Sequence, residues 1–550
     1  MEKIYILGGN DSLLITRNLG EFVTVPLDLT VNSDSQIHDF LCDLFCKSNG
    51  EEKMIVDLDS LNPALALTII LHMRLSPSSI GTAAFIPVLF VSDFSIQVFL
   101  SLGQCSQLFL TKGISFCNPN DVDNVVNEIQ GLSIDNYYSK FMDRIQIKPD
   151  AYIGTHSMAN QWGADVLNRI ISKNDREVTD EIAEAKKKLY YKYVYINTVG
   201  IDGIINSIGN NGGRNNEQQI YAIGKKILLI DDEAHRGWKE VLKKWLFGAS
   251  LDVVGNSVGT YNDIPQNIRE KIHQHYYDLY LLDLRLLGQK EDDIFEPNDF
   301  SGMKILKEIK LENAGNQVII LTASNKAWNM KALLDAGADG YYIKESPEYK
   351  YPLSFSEANY MALFKAVKSC FEKSYLKGIF SEIKEIKKNL SNDDFGNSIR
   401  NQFDVAYYLI SKAETEEQFA FAYVSLYLIL EIVNKHFVTR DVNDKWMLPC
   451  GQYIMDWTYD VALNQYCNSG NIKVSDDLPE WLKLAGIIFQ QWGLHNQNQL
   501  VKNIYFQIRK RNGFIHNDKT IIDDVNNHDI YNKDGFVALF KSIKIICSHL

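Results

Sequence analysis

Residues 225–233, KKILLIDDE, decide the fold. Four aliphatic side chains in a row close on two adjacent acids, Asp231 and Asp232. An unbroken apolar run of this length reads as a strand buried on both faces, as in parallel sheets covered by helices. Three segments downstream repeat the pattern. DLYLLDLRL (278–286) ends its apolar run in Asp283, QVIILTAS (317–324) in Thr322, and DGYYIKES (339–346) in Lys344. Helix-like stretches separate them, so residues 226–350 are expected to form an α/β domain around an open parallel sheet. Such sheets bind ligands beyond the carboxyl ends of their strands. All five residues would therefore meet in one crevice.

That set has a chemistry. Three carboxylates suit Mg2+, a hard ion that prefers oxygen ligands and keeps several waters. One carboxylate can attack a phosphoryl group, and an ammonium and a hydroxyl can offset charge on the transferred oxygens. The arrangement resembles the receiver domain of two-component response regulators. The resemblance implies that Asp283 is the phosphoacceptor and that Asp231 and Asp232, with Asp283, hold Mg2+. It further implies that Thr322 is the switch hydroxyl, Lys344 the phosphate-pairing lysine and Tyr341 the rotating aromatic. A histidine kinase or phosphotransfer protein would be the partner. Two departures stand out. GQKEDDIFEP (288–297) intervenes before the Gly-led helix FSGMKILKEIK (300–310), as an insertion able to slow phosphorylation or act as a lid. Glu345 also follows the lysine where receivers usually carry proline.

Residues 1–145 follow the same order, with strands KIYILGG, KMIVDLDS, IPVLFVSD and LFLTKG ending in Gly8 and Gly9, Asp57 or Asp59, Ser92, and Lys112. The acid pair is missing from the first strand, although Asp11 is nearby, so this block resembles a pseudo-receiver kept for packing or partner binding. Residues 149–205 read as a two-helix hairpin, and the Gly/Asn-rich stretch within 206–225 reads as a linker. In THSMANQWGADVLNRII (155–171), Met158, Trp162, Val166 and Ile170 recur every fourth residue as an apolar stripe, which puts His156 and Asn160 on a different, solvent-facing side. H-S-M-A-N weakly resembles the H-box of histidine kinase dimerisation helices, which would make His156, with Asn160, a phosphotransfer site. No Gly-rich ATP-binding domain accompanies it, so His156 would pass phosphate on and not take it from ATP. The plain alternative is a structural hairpin.

Residues 355–550 are expected to be an all-helical bundle, opening with SEIKEIKKNL and continuing with FAFAYVSLYLILEIVNKHF. Within NQLVKNIYFQIRKRNGFIHNDK (498–519), Lys502, Arg509, Lys510, Arg511 and Lys519 cluster against Asp518 alone. In a chain of net charge −13 this local reversal suggests an anionic partner. Arg511, Asn512 and His516 resemble the R-x(4–6)-H signature of HEPN domains, helical bundles that are often metal-independent ribonucleases. The resemblance implies that His516 is the general acid/base, that Arg511 stabilises phosphate charge, that RNA is the substrate, and that the site forms across a homodimer. On a straight helix five residues turn through roughly 140°, so Arg511 and His516 would not point together without a local relaxation or a second subunit. The bland reading is an Arg/His pair in a bundle without chemistry.

Composition limits the field. The 550 residues are 46% apolar and 23% charged, which excludes disorder, collagen-like repeats and a uniformly basic nucleic-acid coat. No apolar run reaches the length of a membrane span, and the start shows no secretory signal. Eight cysteines form no CxxC pair and no zinc set, as expected for a reduced, cytoplasmic setting. No helix-turn-helix stands out, which argues against DNA reading. The sequence therefore leads to α/β plus all-α architecture, with two flavodoxin-like sheet domains, a hairpin between them and a helical bundle. The expected function is a phosphorelay regulator in which Asp283 controls an RNA-binding or RNA-cleaving effector, suited to a stress or phage-defence role. The alternatives are a non-catalytic signalling scaffold or a phosphate sink.

Overall fold

The computed structural model describes residues 3–9, 12, 14, 22–26, 31–149, 155–171, 180–200, 219–255, 266–274, 276–287, 291, 294, 296–323, 327–473, 477–516 and 530–550. The chain folds as two units, residues 1–309 with 317–371, and residues 310–316 with 372–550.

The first unit contains two five-stranded parallel sheets. One comprises β1 (Ile4–Gly8), β2 (Phe22–Pro26), β3 (Lys53–Asp57), β4 (Val88–Val91) and β5 (Ile114–Cys117), in the order β2-β1-β3-β4-β5. The other comprises β6 (Lys226–Ile230), β7 (Ser250–Val254), β8 (Leu279–Asp283), β9 (Val318–Thr322) and β10 (Gly340–Ile343), in the order β10-β9-β8-β6-β7. Both follow the same winding, the flavodoxin-like order 2-1-3-4-5.

In the second sheet the apolar runs of β6, β8 and β9 are fully buried, and their alternation divides them between two faces. Ile227, Leu229, Leu281 and Leu321 pack with α6 (Trp238–Trp245) and α10 (Leu353–Glu372). Leu228, Ile230, Leu282 and Ile320 pack with α7 (Gln266–Gln274), α8 (Ser301–Glu312) and α9 (Ala327–Asp335). A boundary at residue 350 is therefore too early. Tyr360, Leu363, Val367 and Cys370 of α10 cover the sheet, and Trp245 Nε1 donates to the Tyr360 hydroxyl at 3.2 Å.

Between the sheets the described residues form three helices where the sequence suggests two: α3 (Thr155–Ile171), α4 (Asp180–Lys187) and α5 (Leu189–Val199). A single extended residue, Lys188, separates α4 from α5. The far end of this assembly is fastened to α1 (Asp34–Leu44) and α2 (Pro63–Arg74) of the first sheet. The Leu189 amide donates to Asp34 Oδ2 at 2.9 Å, His72 Nε2 lies 3.1 Å from Asp34 Oδ1, and Lys192 Nζ lies 3.1 Å from His72 Nδ1. Burial pushes Lys192 down to about 8. The helices are joined to one another through buried Asp165, which accepts from the Tyr191 hydroxyl at 2.6 Å and pairs with Lys186 and Arg169. Residues 206–218 of the expected linker lie outside the described residues. Its end is not loop, because Ile220–Tyr221 pairs in parallel with Leu246–Phe247.

The second unit is built on α11 (Tyr375–Asn389), α12 (Asp394–Lys412), α13 (Glu416–Phe437), α14 (Glu480–Gly486), α15 (Asn498–His516) and α16 (Lys533–Cys547). One apolar core runs through Ile383, Phe403, Leu426, Leu484, Ile504 and Phe540. It is not all-helical. Thr439–Arg440 pairs with Trp446–Met447, and Met455–Asp460 with Gln465–Ile472, both antiparallel. The second pairing is turned by Asp460, whose Oδ1 accepts the Ala462 and Leu463 amides, and by Asn464 at φ 50°. Such local hydrogen bonds compete with helix. Among the described residues no helix is long and apolar enough to cross a membrane.

Candidate functional site

Strand register assembles the site. Leu282 pairs with Ile230, Asp283 with Leu321, and Thr322 with Ile343. Asp231, Asp283, Thr322 and Lys344 thus emerge at the same edge of adjacent strands, and all four are buried. One ligand oxygen from each of Asp231, Asp232 and Asp283 lies within 4.8 Å of the others, the one such acidic group among the described residues. Lys344 Nζ donates to Asp231 Oδ2 at 2.8 Å and to Asp283 Oδ2 at 2.6 Å, with the Trp238 ring centroid 5.3 Å away. The Glu233 amide donates to Asp231 Oδ1 at 2.8 Å, and the Arg285 amide to Asp283 Oδ1 at 3.3 Å.

The electrostatics are unbalanced. Burial alone would lower Lys344, but Asp231 and Asp283 more than offset it and hold the ammonium above its usual range. Burial first, then the Asp283 and Asp231 charges, push Asp232 up to about 8, with Lys344 pulling the other way. The buried Asp232 Oδ1 accepts no hydrogen bond. A carboxylate oxygen in that condition, facing two more, is what a divalent cation relieves.

Tyr341 is half-buried on the α9 face, and Tyr342 points the other way, toward Trp238 at 6.0 Å between centroids. Glu345, in the position where proline was expected, is buried and accepts the Ser356 hydroxyl at 2.6 Å. Part of the acidic insertion is structural. Glu291, 1% exposed, accepts the amides of Leu286 at 2.9 Å, Leu287 at 3.0 Å and Ser301 at 2.7 Å, and the Ser301 hydroxyl at 2.8 Å. Its carboxylate joins the exit of β8 to the start of α8. Glu291→Ala is expected to lower stability by about 3 kcal/mol, because it leaves buried donors unmet. The measurement is the urea midpoint, and an unchanged midpoint would show that the loop does not need the carboxylate. Residues 288–290, 292, 293 and 295 lie outside the described residues.

The structure also brings in a side chain from outside the sheet. Asn160, on α3, is 1% exposed. It accepts from Lys344 Nζ through Oδ1 at 2.7 Å and donates through Nδ2 to Glu233 Oε2 at 2.7 Å. The solvent-facing side expected for it is thus overturned: α3 is buried on most of its circumference from Asn160 to Asn168. Gly163 permits the approach, since a Cβ there would sit 3.1 Å from Trp238 and 3.3 Å from the Glu345 nitrogen. The small pair Gly163–Ala164 in an otherwise bulky helix is the sequence signal for this packing. Glu291 and Glu233 carried no such signal. His156 lies on α3, but its side chain is outside the described residues.

The carboxyl edge of the first sheet is different. Asp57 accepts the Ser12 hydroxyl and the Asp59 amide, and Asp59 accepts the Ser92 hydroxyl and the Asp93 amide. Lys112 is not at this edge: Gly103–Leu110 is helical, the strand is Ile114–Cys117, and exposed Lys112 precedes it at the amino edge of the sheet. Asp11 lies outside the described residues. In the second unit Arg511 Nη2 pairs with Glu431 Oε1 at 2.9 Å, its guanidinium stacks over Tyr427 at 4.9 Å, and Nη1 donates to Asn512 Oδ1 at 3.1 Å. Lys502 donates to the Tyr459 hydroxyl at 3.0 Å. The basic cluster read from the sequence is therefore partly engaged within the fold. The side chains of residues 514–519, including His516 and Lys519, lie outside the described residues.

The chain carries a response-regulator receiver domain. It is 38% identical over 123 residues to the nitrate/nitrite response regulator protein NarP of Escherichia coli (strain K12), covering 22% of this chain and 48% of that protein. A nitrate/nitrite response regulator homolog of Haemophilus influenzae is 32% identical over 124 residues, 22% of this chain and 50% of that protein. The chain thus spans about half the length of the curated relatives it matches. A CheY-like receiver domain protein from Methanospirillum hungatei JF-1 is 20% identical and covers 26% of this chain and 98% of its own, with a TM-score of 0.17. The receiver domain of a Francisella response regulator is likewise 20% identical, covering 25% and 98%, with a TM-score of 0.17. No family model matches the chain.

Proposed function

We propose that this chain is a phosphorelay response regulator whose phosphoacceptor is Asp283. A carboxylate oxygen of Asp283 attacks the phosphorus of a phosphohistidine on a histidine kinase or phosphotransfer protein. The new O–P bond forms as the P–N bond breaks, and the imidazole leaves with a proton. The observation that carries this reading is the buried cluster of Asp231, Asp232 and Asp283 with Lys344 bridging two of them. The oxygen-only donor set and the unmet Asp232 Oδ1 fit Mg2+. When bound there, Mg2+ supplies positive charge to the transferring oxygens. Lys344 orients Asp283 and meets the phosphoryl oxygens, and Thr322 supplies the switch hydroxyl beside them. The first sheet is a pseudo-receiver, with Asp57 and Asp59 tied into local hydrogen bonds and Lys112 at the opposite edge of the sheet.

The second unit is the effector, a HEPN-like bundle that binds RNA as a homodimer, with Arg511, Asn512 and His516 as its candidate cleavage residues. A scaffold reading has its own support: Arg511 is already held by Glu431 and Tyr427, as a structural arginine would be. Cleavage of labelled RNA in EDTA that is lost in His516→Ala decides for the effector, and no cleavage by phosphorylated or unphosphorylated protein decides for the scaffold. For the receiver, acetyl phosphate with Mg2+ is expected to add one phosphoryl group to the full chain, seen in its intact mass. The gain should vanish in EDTA and in Asp283→Ala. Wild-type protein that gains no mass sinks the assignment.

A further inference from the structure

We infer that Asn160 is an internal competitor for the phosphorylation site, so that seating of α3 and phosphorylation of Asp283 exclude one another. The inference rests on the receiver reading above and goes beyond it. An ammonium has three N–H donors, and those of Lys344 go to Asp231, Asp283 and Asn160, at 2.8, 2.6 and 2.7 Å. A phosphoryl oxygen that needs Lys344 must take one of these places. Releasing either aspartate would leave a buried carboxylate without its counter-charge, which is costly. Releasing Asn160 uncovers no charge. It is the neutral partner, and the one that comes from a separate element.

The amide is placed to do this. Its orientation is fixed from both sides, because Lys344 can only donate and the Glu233 carboxylate accepts. It is 1% exposed and bonds the same Lys344 ammonium as Asp283, so it holds a place that a phosphoryl oxygen would need. Seating is backed by Ala164, Leu167 and Ile171, which pack in the same apolar cluster as Trp238. Their burial makes complete removal of α3 expensive, and the expected motion is therefore at the Asn160 end of the helix. By linkage the effect runs both ways: a seated α3 disfavours phosphorylated Asp283 at equilibrium, and a phosphorylated Asp283 loosens α3 by the same factor.

The test follows intact mass over time for wild type and Asn160→Ala in acetyl phosphate and Mg2+, using the full chain. Typical coupling between two sites is about 5–150-fold, and Asn160→Ala is expected to label at least about five-fold faster. As a second measurement, amide hydrogen exchange over residues 160–168 of the wild type is followed with beryllofluoride and Mg2+. Exchange should rise, and should not rise in Asp283→Ala. Labelling of Asn160→Ala at the wild-type rate or slower, or exchange unmoved by beryllofluoride in a protein that does take label, overturns the inference alone. If neither protein takes label, the receiver reading has failed and this inference falls with it.

Discussion

Lys344→Met is expected to destabilise the first unit by about 3–5 kcal/mol, the range for removing one partner of a buried ion pair. The lysine is 1% exposed, and its ammonium is the cation that Asp231 and Asp283 share. Methionine fills much of the same volume but leaves buried Asp231 and Asp283 and half-buried Asp232 facing one another without a counter-charge. The loss is therefore electrostatic, and a divalent cation should reverse part of it. A ligand that binds only the folded state adds stability as its concentration exceeds its dissociation constant. The urea midpoint of the variant should rise more on adding Mg2+ than that of the wild type. A variant as stable as the wild type in EDTA would mean that the acids are not held together as described.

Gly302→Ala is expected to cost about 3 kcal/mol, the upper end for adding a methyl to a closed space. A Cβ at Gly302 would collide with the Asp283 carbonyl oxygen and come within 2.7 Å of Leu284 Cα and its carbonyl oxygen. All three are backbone atoms, and Asp283 and Leu284 sit where β8 leaves the sheet, so no side chain can swing aside. Relief has to come from moving β8 or α8, and a shift of β8 displaces the Asp283 carboxylate. The variant should show a lowered thermal midpoint together with slowed labelling by acetyl phosphate. A normal midpoint would show that α8 stands further from β8 than the present geometry allows.

What could be read in the sequence follows from how local each signal is. β6, β8, β9 and β10 were legible because strands buried on both faces must be apolar throughout, and a polar residue that ends such a run stands out. Asp231, Asp283, Thr322 and Lys344 were found this way, and the sheet register brings them together. The helix over Leu353–Glu372 was legible as a helix but not as part of the first unit, since nothing in its own pattern names the sheet it covers. The strands at Met455–Asp460 and Gln465–Ile472 were missed because they lie among strong helices and the second exposes most of its side chains. Asn160 was singled out for the wrong face. A polar residue between apolar ones on a helix looks solvent-facing unless a distant charge, here Lys344, is known to await it. Glu291 looked like one more acid in an acidic run, and only its four donors set it apart.

The attachment of α5 to the first sheet, through Asp34, His72 and Lys192, has a practical corollary. A fragment that starts near residue 219 would keep every side chain of the acidic crevice yet lose its built-in brake. Kinetics measured on such a piece would describe a bare catalyst, quick to charge and deaf to whatever binds the amino-terminal half. In the longer chain α5 is anchored on Asp34 and tied to α3 through Asp165, so the first sheet would brace the element that carries Asn160.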